Sequence, residues 1–296
     1  MSTRIVSLLP AGTEIVHALG AGDELVGRSH ECDFPAGVEA LPVVSNPALR
    51  LEGLAPAEVD RAVAERLRSG ESLYHVDEAL LQELAPELII TQDLCQVCAP
   101  SGNELTRAIR DLPGRPRVLR LTPQTIAEIY ANIIEVGEAT GRAGPAEALV
   151  AGNRRRVAAV VDALDGAPIR ATVFLEWIEP FFSGGHWVPE MIALAGGHDP
   201  LGHAGSDSER VSWEAVRETM PEVVFVAPCG YRLEPAAELA RALPPLPGAT
   251  VYAIDANAYF ARPGPRVAEG VELLAHLLHP ERFAWPHASR PWTRIV

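Results

Sequence analysis

The sequence has little of what marks disulfide-bonded or membrane-spanning proteins. Its 296 residues include only four cysteines, which are too few and too unevenly spaced for a disulfide framework, so reduced thiols are expected. No run approaches the roughly 20 apolar residues that a membrane-spanning helix needs. Met1–Arg4 leads straight into a strand-like segment with no apolar signal region. From this we expect a cytoplasmic protein that does not insert into a membrane.

Basic side chains are also in the minority. The chain has 25 lysines and arginines against 39 aspartates and glutamates, which gives a net charge of −14. Such an excess of negative charge disfavours attraction to phosphate backbones and to anionic lipid. We therefore expect neither nucleic acid nor a membrane surface as a partner.

The commonest catalytic signatures are missing as well. The sequence has no G-x-G-x-x-G dinucleotide loop, no Walker A loop, no H-E-x-x-H motif and no G-x-S-x-G nucleophile elbow. We therefore do not expect an enzyme.

The chain does have a regular alternation of short β-rich runs and helical stretches. Ile5–Leu9 has the pattern of a buried strand, Thr13–Leu19 places its apolar residues on one helical face, and a further strand begins at Leu25. Alternation of this kind predicts βαβ units and a parallel sheet. With 48% apolar residues and a length typical of two domains, the chain can form sizeable cores.

A helical zone separates two such regions. Pro145–Leu164 predicts a helix about 30 Å long, and the strand–helix alternation starts again after Gly166. We therefore predict an α/β fold of two Rossmann-like lobes with parallel sheets, joined by a long backbone helix. The expected divisions are an N-terminal lobe at residues 1–122, a helical segment at 123–165 and a C-terminal lobe at 166–296.

Several segments, taken in order, carry a family resemblance. They are Arg4–Ile15, Leu25–Pro35, Pro180–Gly185, Ala195–Gly197, Val211–Glu214 and Tyr259–Arg266. Together they resemble the cobalamin-binding (BtuF-like) substrate-binding proteins of ABC transporters, which have the class III periplasmic-binding-protein fold with a helical backbone. The resemblance covers nearly the whole chain.

The resemblance implies a ligand and a partner. The ligand would be cobalamin or a related corrinoid, held in the cleft between the two lobes. Relatives with this fold bind ferric siderophores, haem or metal ions, so a different metal chelate stays open. Members that serve an ABC importer dock through one acidic residue on each lobe, and Glu104 and Glu214 are the nearest matches here.

Ligand contacts are expected at the carboxyl ends of the strands, where open parallel sheets place their ligands. Between the first strand and its helix, free backbone N–H groups can face a polar ligand group. The candidates from these strand-end loops of the first lobe are Pro10, Ala11, Gly12, His30, Glu31, Gln92, Asp93 and Leu94.

Aromatic residues in strand-end loops of the second lobe are further candidates, because a corrin is a large and partly apolar disc. Each one alone is more often a core residue than a ligand contact. The candidates are Trp177, Phe182, Trp187, Tyr259 and Phe260, and the resemblance places Tyr259 where the family has a ligand-facing aromatic.

The cysteines suggest a second kind of chemistry. His30 and Cys32 follow one predicted strand, and Cys95 and Cys98 follow another, so the four side chains form a candidate transition-metal site. Buried thiols that merely fill the loops are the slightly favoured alternative. Direct binding of a metal ion and thiol redox activity at the Cys95–Cys98 motif therefore remain alternatives to corrinoid binding.

Overall fold

The computed structural model describes residues 3–92, 108, 109, 112 and 114–295, which fall into two compact units. Unit 1 comprises residues 1–123 and 128–150, and unit 2 comprises residues 124–127 and 151–296. Each unit is an α/β structure built on its own mostly parallel sheet. The predicted fold class is thereby confirmed.

Unit 1 is built on a six-stranded sheet in the order β4-β3-β2-β1-β5-β6. Its strands are Ile5–Ser7 (β1), Leu25–Ser29 (β2), Val43–Pro47 (β3), Tyr74–Val76 (β4), Leu88–Thr91 (β5) and Arg117–Arg120 (β6). Every neighbouring pair is parallel except β3 and β4, which are antiparallel. The central strands β1 and β5 are buried along their whole length, as is usual for a parallel sheet covered on both faces.

Helices follow most of these strands. They are Pro10–Ala18 (α1), Pro56–Arg68 (α2), Glu78–Leu84 (α3), Ile126–Ala139 (α4) and Ala143–Ala163 (α5), with short 3₁₀ turns at Gly22–Glu24 and Val38–Ala40. A core of Val6, Leu8, Val44, Val76, Leu81 and Ile89 lies between helices and sheet.

Helix α5 is the long helix that the sequence predicts. Its residues to Val150 belong to unit 1, and those from Ala151 belong to unit 2. Its first turns lie so close to α4 that a Cβ atom at Gly137 would clash with the Cβ atom of Ala146. Glycine at position 137 therefore allows the two helices of unit 1 to approach closely.

Unit 2 contains a second six-stranded sheet, with the path β12-β11-β10-β7-β8 and a short strand β9 beside β7. Its strands are Arg170–Ile178 (β7), Phe181–Ser183 (β8), Gly197–His198 (β9), Val223–Val226 (β10), Thr250–Ile254 (β11) and Trp292–Arg294 (β12). The strands β7, β10 and β11 are parallel, whereas β8 and β12 run antiparallel to their neighbours.

The helices of unit 2 cover this sheet. They are Val188–Leu194 (α6), Trp213–Glu218 (α7), Leu233–Arg241 (α8), Ala256–Tyr259 (α9) and Val267–Leu278 (α10). Side chains of β7, β10, β11 and α8 form the core, which includes Val173, Leu175, Val224, Val226 and Ala236. In the part of the chain that the structure describes, no helix is both long and apolar enough to cross a membrane.

Candidate functional site

The carboxyl ends of β1, β2 and β5 lie at one edge of the unit 1 sheet, since β1 pairs in parallel with both of its neighbours. His30 and Gln92 directly follow β2 and β5, and Pro10 lies three residues after the end of β1. Residues far apart in sequence are thereby brought to one sheet edge, which is where α/β proteins of this kind bind their ligands.

Residues 10–12 form the first turn of helix α1, which corrects the expected connecting loop. The helix begins at Pro10 and not at Thr13, because the fixed φ of proline suits the first helical position and its missing N–H costs nothing there. Ala11 and Gly12 are buried. A Cβ atom at Gly12 would lie 2.7 Å from Ile90 Cγ2 and 2.9 Å from Ser7 Oγ, so this glycine lets α1 approach β5.

His30 is held by its neighbours at the end of β2. Its Nδ1 lies 3.1 Å from the Ser45 carbonyl oxygen, within hydrogen-bonding distance. Its Nε2 lies 3.1 Å from Glu31 Oε1, and its ring centroid is 5.8 Å from that of Tyr74. Glu31 is exposed. The pair therefore presents an imidazole and a carboxylate at the sheet edge.

Cys32 follows this pair in the sequence and is fully buried. The Thr13 hydroxyl donates a hydrogen bond to its sulfur over 3.0 Å. Among the residues that the structure describes, no group of three or more histidine, cysteine, aspartate or glutamate side chains is placed to hold a metal ion. The metal site with Cys95 and Cys98 stays a prediction, because both cysteines lie outside the described residues, as do Asp93, Leu94 and Glu104.

Two of the predicted aromatic residues of unit 2 are only half-buried. Trp177 donates from Nε1 to the Glu179 carbonyl oxygen over 3.1 Å, and its ring meets that of Tyr231 edge-on at 5.6 Å. Phe182 lies on the paired strand β8 with the Arg210 guanidinium 5.5 Å from its ring centre. The β7–β8 hairpin and the loop after β10 therefore form a partly exposed aromatic surface, made of Trp177, Phe182 and Tyr231.

The other three predicted aromatic residues are buried. Trp187, Tyr259 and Phe260 are exposed by only 6%, 7% and 3%. Trp187 donates from Nε1 to the Phe260 carbonyl oxygen over 3.0 Å, and Tyr259 packs edge-on against Trp285 at 6.2 Å. These contacts fix the segment that follows β11.

A polar group lies beside the aromatic surface. The half-buried Glu176 carboxylate accepts hydrogen bonds from the Gly185 N–H and the Ser208 hydroxyl. Burial raises the pKa of Glu176 above its ordinary value, although these two hydrogen bonds oppose the shift. His186 Nε2 lies 3.3 Å from Asp207, and burial lowers the pKa of this histidine against the attraction of that carboxylate. Two contacts thus hold the loop around Ser208.

Sequence reasoning missed three residues: Arg28 in β2 of unit 1, and Glu176 and Tyr231 in unit 2. A signal existed for Arg28 and Glu176, since each is a charged residue inside a strand, at a position that the sheet buries or half-buries. Tyr231 could have been found as the aromatic residue in the turn after β10. Nothing in the sequence paired it with Trp177.

Each of the two α/β units has polar or aromatic side chains at the carboxyl ends of its parallel strands. This is the architecture of two-lobed solute-binding proteins. A family model described as periplasmic binding protein matches residues 5–241, and the chain belongs to that family.

Known relatives agree with this assignment. The chain is 23% identical to a vitamin B12-binding protein of Vibrio parahaemolyticus over 272 residues, which cover 90% of this chain and 86% of that protein. It is 24% identical to a vitamin B12-binding protein of Vibrio campbellii over 229 residues, covering 76% and 70%. The resemblance drawn from the sequence is therefore confirmed.

Solved structures show the same fold. The periplasmic vitamin B12-binding protein BtuF of Vibrio cholerae superposes with a TM-score of 0.69 at 23% identity, covering 94% of this chain and 97% of that one. The periplasmic heme-binding protein RhuT of Roseiflexus sp. RS-1 gives 0.69 at 22% identity, covering 95% and 99%. At such identities the likeness establishes the fold alone, and it does not distinguish a corrinoid from haem.

The family match corrects one expectation. The cytoplasmic location predicted from the first residues is wrong, because the family is one of periplasmic binding proteins. That prediction depended on an absence at the start of the sequence, whereas the match is a positive observation over residues 5–241.

Proposed function

We propose that the protein binds cobalamin or a related corrinoid and acts as the substrate-binding component of an ABC importer, without catalysis. The observation that carries the proposal is the likeness to relatives named for vitamin B12 binding, which extends over 76% to 91% of the chain. The partly exposed aromatic surface of Trp177, Phe182 and Tyr231 supports it, because a corrin offers a large apolar face to such rings.

The proposed contacts come from both units. They are Pro10, Ala11, Gly12, His30, Glu31 and Gln92 in unit 1, and Trp177, Phe182, Trp187, Tyr259 and Phe260 in unit 2. Asp93 and Leu94 belong to the same proposal but lie outside the described residues. Because the three buried aromatic residues fix the segment after β11, we expect Trp177 and Phe182 to contribute more of the binding energy.

Handover to an importer is the second part of the proposal. Glu214 is exposed in the first turn of α7, which suits a docking carboxylate. It would act together with Glu104 of unit 1. Replacement of both residues by glutamine should leave ligand affinity unchanged while reducing uptake of the corrinoid by cells that depend on this protein.

Replacement of Trp177 by alanine tests the ligand-binding proposal. Loss of one aromatic contact of this kind should weaken cyanocobalamin binding about 10- to 100-fold, as measured by equilibrium dialysis. Ile169→Ala is the matched control, because Ile169 precedes the amino end of the same strand and is 72% exposed. Equal affinity of the two variants for cyanocobalamin would show that the aromatic surface does not contact the ligand.

A further inference from the structure

Arg28 lies in β2 with its side chain buried, and its guanidinium group gathers main-chain carbonyl groups. Its Nη1 donates to the carbonyl oxygens of Ser29 at 3.0 Å, His30 at 3.3 Å and Cys32 at 3.2 Å. Its Nη2 donates to the Glu39 carbonyl oxygen at 3.0 Å. One side chain therefore contacts both ends of the segment from Ser29 to Glu39, which we call the β2 loop.

The acceptors of Arg28 are unusual for a buried arginine. Within the described part of the chain, its hydrogen bonds go to carbonyl oxygens and to no carboxylate. Buried arginine side chains are ordinarily paired with acidic groups. Here the donors contact four carbonyl groups of an irregular segment, and the Ser29 oxygen also accepts from the Cys32 N–H over 3.1 Å.

The β2 loop carries His30 and Glu31, which the proposed function places against the ligand. The His30 ring is held separately by the Ser45 carbonyl group, and the Cys32 sulfur accepts from Thr13. These contacts fix individual side chains, whereas Arg28 fixes the course of the backbone that presents them.

We propose that Arg28 is a positioning residue that holds the β2 loop in its ligand-binding shape before the ligand arrives. The proposal rests on the proposed function, since it assigns to this loop a part of the ligand site. A loop that is ordered in advance does not lose its conformational freedom at the moment of binding, so affinity is higher. Lysine cannot replace arginine here, because a single ammonium group lacks the planar fork that reaches carbonyl groups on two sides.

Arg28→Lys is the first test, and Arg28→Met is a second variant that keeps an unbranched side chain without the charge. Arg142→Lys is the matched control, because Arg142 also belongs to unit 1 and bridges the Thr140 carbonyl group and Glu24. Two experiments are made on each protein. The first measures amide hydrogen exchange without ligand, and the second measures the association and dissociation rates of cyanocobalamin.

Arg28→Lys should speed exchange of the amides in residues 30–39 by about tenfold or more, with the strands of unit 1 unchanged. Its affinity for cyanocobalamin should fall by about tenfold or more, mainly through slower association, because the loop must first find its shape. Arg142→Lys should change neither quantity.

Four outcomes would overturn the proposal. If the wild-type protein binds cyanocobalamin and Arg28→Lys binds it equally well, the positioning role fails while the proposed function stands. Exchange that accelerates throughout unit 1 with unchanged affinity, or failure of both Arg28 variants to fold, would leave a purely structural role. If the wild-type protein binds neither cyanocobalamin nor cobinamide, the proposed function fails and this inference fails with it.

Discussion

Gly12 shows how one residue determines the position of a candidate binding segment. Alanine normally stabilises a helix relative to glycine by about 1 kcal/mol. At this position the added methyl group would meet Ile90 and Ser7 at less than 3 Å, so those side chains or the helix must move. Overpacking of this kind costs about 1–3 kcal/mol and outweighs the helix preference.

Gly12→Ala should therefore lower the free energy of unfolding by about 1 kcal/mol, the overpacking cost less the gain in helix preference, as measured by urea denaturation. Gly152→Ala is the control, because Gly152 lies in α5 and a Cβ atom there would come no closer than 3.9 Å to the Arg155 side chain. The control should be as stable as the wild type or more stable. Destabilisation of both variants by the same amount would show that close approach to β5 is not the cause.

Glu176 gives a second prediction for a single residue. Since burial raises its pKa above 4.5, the protonated form is favoured in the folded protein. The protonated carboxyl group of Glu176 thus makes its full contribution to stability below pH 4.5. That contribution is lost as the pH rises through the pKa of the folded state. The ionised form of Glu176 carries a desolvation cost that glutamine does not carry.

Glu176→Gln should gain stability relative to the wild type as the pH is raised from about 4.5 to 8. Thermal unfolding across that range measures the difference, and Glu179→Gln, at an exposed position in the same hairpin, should show no comparable trend. A wild type that becomes more stable than Glu176→Gln as the pH rises would contradict the sign of the shift.

At the scale of elements, a buried ion pair joins α5, α10 and the C-terminal segment within unit 2. Arg156 donates to both carboxylate oxygens of Glu272, at 2.8 Å and 2.6 Å, and His287 Nε2 lies 2.8 Å from the same carboxylate. Burial by itself would raise the pKa of Glu272, but the hydrogen bonds from Arg156 and His287 outweigh it and hold the pKa below its ordinary value.

Removal of one member of this pair should lower the free energy of unfolding. Arg156→Met leaves Glu272 buried without its main partner, and we expect a loss of about 2–4 kcal/mol, somewhat less than for a fully buried pair because Arg156 is partly exposed. The double variant Arg156→Met with Glu272→Met should recover most of that loss, because the buried carboxylate of Glu272 is removed with its partner, and Glu269, the other carboxylate near Arg156, is partly exposed. If the losses of the two single variants simply add in the double variant, the pair is not coupled.

Elements were predictable from the sequence where local pattern and tertiary environment agree. The apolar runs at Ile5 and Leu88 predict buried strands, and both lie in the centre of a parallel sheet. The start of α1 was misplaced, because the sequence does not show that Pro10 occupies the first helical position. The contacts of Arg28 could not be foreseen, because they depend on how an irregular loop folds back over its own strand.

At the scale of the whole molecule, the ordered set of motifs was more informative than any single one. No separate segment of the resemblance identifies a function, yet together they predicted the family that residues 5–241 match. The prediction of a cytoplasmic location is wrong, because it relied on the absence of a feature and not on an observed one. Ligand identity lies beyond the fold, since vitamin B12-binding and heme-binding proteins superpose on this chain equally well.

Calorimetric titration of the wild-type protein tests the central claim most directly. Cyanocobalamin and cobinamide are titrated separately, and haemin is titrated as the competing tetrapyrrole. The account predicts saturable binding of a corrinoid with one site per chain and weaker or no binding of haemin. Absence of heat and of any change in the visible spectrum with both corrinoids, or tight binding of haemin alone, would contradict it.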